Sequence, residues 1–577
     1  MLLKNFWFLL DSNHKKKFIF LFFFNIYITI LELVSLSSIF PIIYSLSNKN
    51  SFYEKFEILK IIGNFADSNN IHPAIFFLSI LIAILILKNI SLAIYNFLES
   101  KFIFSTQENL SLKLFKNLIN KDYSYHLSHN TADLVTRIKT DGRQLIEVIS
   151  SVQYLLQGLV FLISILIFLL FIDPLSFLFV STTFGLLSSF FLKFTNKKVS
   201  ELAKQRQELE IDRSKKLQES FSGIKEIKIF LKEQLIISDY NKLAGSISKV
   251  YYIRDFINRL PRVIMEILIV IIISVATVFL LNNSRDGLEI IAILSVFSLA
   301  SIKALPYTSK LMGSFNSIKF SEQVINYYKN NILTDIPSKK ILKDPSLDFE
   351  NLNTIVFDKI SFCYSSKSKN IFENLSLKIN KGDKIEIKGP TGSGKSTFID
   401  LLIGLQKPSS GMIKIEKKEF KTLPDQWLKN FNYVPQSIYL FDTTIKENIT
   451  LDQNTENFDK NLFLESIKIS EIFDFIQSLP KKENTLVGEL GSLLSGGQKQ
   501  RIGIARALYR NSNIIIFDEA TNALDLKTEN KIYENINKSL PNKTFIIINH
   551  REMDNILIKR KLFLKNFNFE EKHKYEK

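Results

Sequence analysis

Apolar and polar positions divide the chain into two unlike halves. Residues 1 to about 320 hold long uncharged apolar runs, whereas 340 to 577 alternate short apolar strings with Lys, Glu and Asn, as a water-exposed domain does. Crossing a hydrocarbon core of roughly 30 Å takes about 20 apolar residues in a helix. Six segments reach that length, at roughly 18–46, 73–97, 152–172, 174–194, 260–281 and 288–311. Between the third and fourth stand Asp173 and Pro174, a tight turn. The stretches joining the second to the third and the fourth to the fifth keep helix-compatible periodicity, so these helices are expected to run on well beyond the bilayer. The expected organisation is an α-helical membrane domain of six transmembrane helices over 1–330, a linker over 331–350 and a second domain over 351–577.

Charge orients the spans. Lys and Arg number 4 in the N-terminal piece, 7 in residues 98–150 and 15 in residues 193–259, against 3 in residues 48–72, none at 173–174 and 1 at 282–287. An excess of basic residues marks the cytoplasmic side, which places both ends of the chain there. The net charge of +17 is therefore largely a topology signal, and no nucleic-acid partner is expected. With 46% apolar residues, 50 of them Phe, extended disorder is excluded. Cys363 is the single cysteine, which leaves no intramolecular disulfide and no Cys-rich metal site. The opening MLLKNFWFLLDSNHKKK carries its basic cluster after a short apolar stretch, so it reads as an amphipathic helix on the inner membrane face and not as a secretory signal.

The second half carries phosphate chemistry. Gly389, Pro390, Thr391, Gly392, Ser393, Gly394, Lys395, Ser396 and Thr397 follow the strand-like KIEIK and precede the helical FIDLLI. In such a loop the glycines let backbone amides turn toward phosphate oxygens, the helix N-terminus adds partial positive charge, Lys395 reaches the β and γ phosphates, and Ser396 ligates Mg²⁺. A buried-strand pattern, IIIF, ends in Asp518 and Glu519, at the edge where α/β sheets place ligands. Asp518 suits the Mg²⁺ shell, and Glu519 suits the water that attacks the γ-phosphate of ATP.

Leu494-Ser495-Gly496-Gly497-Gln498, followed by KQRIGIARA, resembles the signature motif of ATP-binding cassette (ABC) proteins. That resemblance implies an α/β P-loop cassette domain over 351–577 and a second copy of the chain, because in the family this motif closes over ATP held by the opposite subunit. It also implies roles for further residues: Tyr364 stacking on adenine, Gln436 as the Q-loop residue at Mg²⁺, TLVGELG from Thr485 as the exporters' X-loop, Asp525 in the D-loop, and His550 at the γ-phosphate. Asn522 stands where Ser is commoner and Asn549 where a small residue is usual, and the Gly-containing hairpin usual after His550 is missing.

Six spans fused to one cassette resemble a type I (type IV in newer usage) ABC exporter half-transporter, with coupling helices near 121–134 and 217–231. An exporter that also cleaves a leader peptide is not expected, because the stretch before the first span is short for a protease domain. The stretch LQESFSGIKEIK, Glu32 with Pro41, the PRVIME at 261–266 and the LPYTSK at 305–310 are similar to those of bacterial flippases of lipid-linked oligosaccharides. Such a flippase implies an ATP-hydrolysing homodimer in the cytoplasmic membrane of a bacterium, a short external helix in 47–70, and a cationic cavity for a pyrophosphate head group. Arg254, Arg259, Arg262, Lys303 and Lys310 are the candidates for that cavity; the other reading is that Arg262 pairs with Glu266 and the lysines snorkel to lipid head groups. An exporter of drugs, lipid A or an antimicrobial peptide is the rival function. A cassette protein that gates a channel is disfavoured by the intact catalytic set, and a soluble ABC ATPase is excluded by the six spans.

Overall fold

A computed structural model describes residues 2–38, 42, 72–172, 174–282, 287–332, 353–364, 369–416, 418–452, 458–549, 558–565 and 568–572. Pro41, the stretch expected to form an external helix, most of the linker and His550 lie outside the described residues. The chain divides into two compact units, Met1–Lys121 with His126–Ile336, and Asp122–Tyr125 with Pro337–Lys577.

The first unit is helical: α1 (Leu2–Leu9), α2 (Ser12–Ser37), α3 (Pro73–Ile119), α4 (Tyr123–Ser128, whose first three residues count with the second unit), α5 (Thr131–Ile172), α6 (Pro174–Ser222), α7 (Ile224–Ile229), α8 (Glu233–Asn282), α9 (Gly287–Phe320) and α10 (Glu322–Ile332). Local chemistry sets several starts. His72 caps α3 by accepting the Ala74 N–H, with Pro73 in the first turn where its missing N–H costs nothing. Asn130 accepts the Ala132 N–H and so opens α5. Five of the six apolar segments fall within long helices, α3, α5, α6, α8 and α9, and the described start of the first falls in α2. Among the described residues, Ser12–Ser37, Ala74–Ile119 and Thr131–Phe171 are long and apolar enough to cross a membrane. At 1.5 Å per residue the 47 residues of α3 reach about 70 Å, more than twice the hydrocarbon core.

Two kinds of packing hold these helices. Phe161, Ile165 and Leu169 of α5 are buried with Leu36 of α2 and with Phe297, Ala300 and Ala304 of α9, while Phe20, Phe23, Ile82, Phe97 and Phe171 stay exposed, an outer face suited to lipid. Where the helices run on past the apolar segments, ions take over. Arg206 lies 3.5 Å from Asp141, both side chains 1% exposed, Arg137 lies 3.3 Å from the same carboxylate, and Arg254 pairs with Glu147. The N-terminal helix has a buried and an exposed face. It buries Phe6 and Leu9 within the unit, Asn5 bonds Asn326 and Lys329 of α10, and Phe8 faces outward.

The second unit contains β1 (Thr354–Phe362), β2 (Phe372–Asn380), β3 (Lys384–Lys388), α11 (Lys395–Ile403), β4 (Ser410–Ile415), β5 (Lys418–Phe420), β6 (Phe431–Val434), α12 (Ile445–Thr450), α13 (Lys460–Ile469), α14 (Phe473–Ser478), α15 (Gly496–Tyr509), β7 (Ile514–Asp518), α16 (Leu526–Ser539), β8 (Thr544–Ile548), β9 (Arg560–Lys565) and β10 (Asn568–Lys572). One sheet is antiparallel, in the order β2-β1-β4-β5; the other runs β10-β9-β3-β8-β7-β6. Strands β9, β3, β8, β7 and β6 are mutually parallel. Every residue of β7 and β8 is buried, which is why both read as unbroken apolar strings. Because those strands are parallel, the segments that follow β3, β6, β7 and β8 all emerge at one edge. The chain's end corrects the sequence reading. Without the usual glycine hairpin, β9 still pairs with β3, Leu562 opposite Ile387, and β10 folds back on β9 with Asn568 opposite Lys565; buried Leu562 and Leu564 supply the reason.

Candidate nucleotide site

The phosphate loop leaves β3 at Gly389 and enters α11 at Lys395. Gly392 and Gly394 have φ of +80° and +100°, left-handed backbone that a side chain would strain. At Gly394 a Cβ would also meet Ile371 Cγ2 at 2.7 Å. Lys395 Nζ donates to the carbonyls of Gly389 (2.8 Å) and Pro390 (3.0 Å), so its charge is held over the loop. Burial pushes this ammonium's pKa down, and the charges of Glu519 and Asp518 pull it back up. Ser393 Oγ is buried with no hydrogen-bond partner among the described residues. A loop of inward-turned backbone with an orphaned hydroxyl and a lysine folded over it fits a polyphosphate. The Tyr364 ring is exposed, with its hydroxyl 3.0 Å from Thr397 Oγ1, which places the expected adenine platform beside the loop's helix.

The end of β7 supplies the carboxylates. Asp518 is buried and accepts the Tyr433 hydroxyl at 2.9 Å; burial pushes its pKa up, as does the charge of Glu519, while Tyr433 and Lys395 lower it. Asp400 on α11 is pushed up to about 6, by burial first and then by the charge of Asp518. Glu519 breaks the strand with φ of +52°, its N–H donating to Ile548 O at 2.9 Å. Such a backbone costs a non-glycine residue roughly 1–3 kcal/mol and collects at functional sites. Gln436, from the segment after β6, donates its side-chain amide to Glu519 Oε2 at 2.8 Å. The structure thus brings Gln436, Asp518 and Glu519 to one edge with the phosphate loop. Ser396, exposed in the first turn of α11, and Asp518 are oxygen donors of the kind Mg²⁺ takes.

The signature stretch forms the start of another helix. Ser495 caps α15 by accepting the Gln498 N–H, and Gln498 Oε1 accepts the Ser495 N–H in return, so Gln498 has a capping role and Ser495 and Gly496 stay exposed. A Cβ on Gly497 would lie 3.3 Å from Ala523 O, which fixes the small residue there. Asp525 caps α16, and the Thr528 N–H it accepts holds its carboxyl below the usual range.

The candidate cavity residues have partners. Arg259 pairs with Asp255 at 2.8 Å and Arg262 with Glu266 at 3.3 Å, each one turn away on α8 and exposed. Arg254 donates to Ser317 and pairs with Glu147. Lys310 Nζ sits 4.9 Å over the Tyr154 ring. Lys303 Nζ lies 2.7 Å from Glu32 Oε1, and Lys88, which the sequence reading passed over, lies 2.8 Å from Glu32 Oε2. The signal for Lys88 was there: a lone cation in the second apolar run, at a depth where charges are costly.

Two family models match the chain, the ABC transporter transmembrane region over residues 17–302 and the ABC transporter domain over 372–522, together well over half of its length. The uncharacterized ABC transporter ATP-binding protein YknU of Bacillus subtilis is 29% identical over 482 residues, 82% of this chain and 80% of that protein. The alpha-hemolysin translocation ATP-binding protein HlyB of Escherichia coli O157:H7 is 38% identical over 242 residues, 42% of this chain and 33% of HlyB. ABC transporter B family member 13 of Arabidopsis thaliana is 42% identical over 198 residues, and the chain spans 16% of that protein's length. In fold, the structure of a bacterial Atm1-family ABC exporter with ATP bound aligns with a TM-score of 0.81 at 19% identity, over 98% of this chain and 96% of that one.

Proposed function

The chain belongs to the ABC transporter family, an ATPase that joins the family's membrane region to its nucleotide-binding domain, and we propose that two copies of it form an exporter that flips a lipid-linked oligosaccharide, or a similar amphiphile with an anionic head group, across the cytoplasmic membrane of a bacterium with both termini in the cytoplasm. Gly389 to Thr397 bind the phosphates of ATP and Tyr364 the adenine. Ser396, Gln436 and Asp518 would hold Mg²⁺, which when bound offsets charge on the phosphates. Glu519 orients and polarises the attacking water, assisted by His550, and Ser495 to Gln498 with Asp525 face the nucleotide of the second copy. The short helices α4 and α7 carry the coupling between membrane helices and cassettes.

One observation supports the anionic substrate: Glu32, buried at membrane depth, faces two cations, Lys88 and Lys303, so that this cluster carries one positive charge in excess. Burying an unbalanced charge is costly, and an anionic head group offsets it. Lys303 is half-exposed whereas Lys88 is buried, so Lys303 is the residue that reaches substrate, with Lys310 two turns along. Arg259 and Arg262, paired on their own helix, join the cavity only by exchanging those carboxylates. The rival reading, export of a polypeptide, draws on the likeness to HlyB, which covers 42% of the chain. The test is ATP-driven flipping of a fluorescent lipid-linked glycan in proteoliposomes, compared with drug and peptide stimulation of ATP hydrolysis. Lys303→Ala should lose flipping and keep basal hydrolysis. Unchanged flipping, or no response to any lipid-linked glycan, would remove the glycan from the account.

A further inference from the structure

The carboxylate of Glu519 is gripped from two sides. Its Oε2 accepts the Gln436 amide at 2.8 Å and the Asn522 amide at 2.9 Å. The Asn522 backbone N–H also reaches Glu519 O at 3.3 Å, so the two residues close a tight turn whose ends are joined by side chain as well as main chain. The turn is itself fixed. Thr521 Oγ1 donates to the buried Glu529 at 2.7 Å, and the Ala523 N–H donates to Gln500 Oε1 at 2.9 Å. Glu529 further accepts the Asn549 amide at 3.3 Å, tying the turn to the end of β8. A serine at 522, the commoner residue in chains of this kind, has a hydroxyl one bond from Cβ and a shorter reach than this amide.

We propose that Asn522 is a positioning residue for ATP hydrolysis: its amide holds one oxygen of Glu519 in place, so that the carboxylate keeps its orientation toward the attacking water when Gln436 turns to Mg²⁺. The two grips are unequal in kind. Gln436 sits in the segment after β6 and has a second task at the metal, whereas Asn522 is three residues from Glu519 in a turn held at Thr521 and Ala523. Orientation of a reacting group counts strongly in rate because a small misplacement lowers the fraction of productive encounters. The inference rests on Glu519 being the residue that polarises the water.

The experiment measures kcat and KM for ATP on the purified full-length protein, with binding of a fluorescent ATP analogue and thermal stability alongside. Asn522→Ala should lower kcat about tenfold, the scale of one hydrogen bond to a charged group, with KM and analogue affinity within about twofold. Asn522→Asp keeps the shape and sets a second carboxylate against Glu519, so it should lose more; Asn522→Ser should recover part of the loss. If the Ala variant is destabilised, the Ser and Asp pair still orders the outcomes. A kcat of Asn522→Ala within twofold of the parent, or equal losses in all three variants, overturns the proposal. Glu519→Gln, measured beside them, separates the two readings: if it hydrolyses ATP at a near-normal rate, the role of Glu519 itself has failed.

Discussion

Gln500, on the signature helix, accepts the backbone N–H of Ala523, in the loop that follows Glu519, at 2.9 Å. Gln500 is buried, so this bond is the direct tie between the signature stretch and the loop that carries Asn522 and Asp525. Ala523 itself is exposed, so water can replace part of a lost acceptor, and losing the bond costs about 1 kcal/mol. Gln500→Ala should lower ATP turnover several-fold without weakening nucleotide binding, since the phosphate loop lies elsewhere, and Gln500→Glu, which keeps an acceptor oxygen, should recover part of the rate. Steady-state kinetics with analogue binding checks this. An unchanged rate in the Ala variant would show that the tie does not matter to turnover.

Removing the charge of Glu519 while keeping its shape should separate binding from hydrolysis. Glu519→Gln retains the phosphate loop and Lys395, so ATP should still bind, while turnover falls by about a hundredfold or more. Size-exclusion chromatography with radiolabelled ATP should find nucleotide retained by the variant and lost by the parent.

Asp400 gives a stability prediction with a definite sign. Burial and the charge of Asp518 raise its carboxyl from the ordinary 3.8 to about 6. A carboxyl whose folded pKa exceeds its unfolded value prefers its proton in the fold, so ionisation is unfavourable to folding. That cost is absent below pH 3.8, grows as pH rises, and is complete above about 6. Asp400→Asn should therefore raise the Tm of the nucleotide-free protein at pH 7.5, with the gain shrinking toward pH 4. A gain of the same size at both pH values would assign it to something other than the charge.

The local parts of the candidate nucleotide site were legible in the sequence as loop, strand and helix. The glycines of 389–394 announce a turning backbone and IIIF before Asp518 announces a buried parallel strand, whereas the cap that Ser495 makes with Gln498 was not read from the sequence. The apolar runs were legible for the same reason, since a helix in lipid shows its environment in consecutive residues. What stayed hidden are partnerships across distance: Tyr433 with Asp518, Gln436 with Glu519, and Glu32 between Lys88 and Lys303, 271 positions apart in the last case. The closing hairpin was missed because its glycine signal is absent and its stability comes from Leu562 and Leu564 packing into the core. The packing of α1 on α10 was hidden for a related reason, since a short apolar stretch does not say which partner it meets.

In the proposed exporter two copies of this chain hydrolyse ATP at shared sites, Lys395 from one copy and Ser495 from the other. It is tested most directly by mixing differently tagged chains carrying Lys395→Ala with chains carrying Ser495→Ala, isolating the mixed dimers through both tags, and measuring their ATP hydrolysis. Each mixed dimer keeps one intact site and one doubly damaged one, so the account predicts hydrolysis well above that of either variant alone. Mixed dimers that form and hydrolyse ATP no faster than the single variants would contradict it.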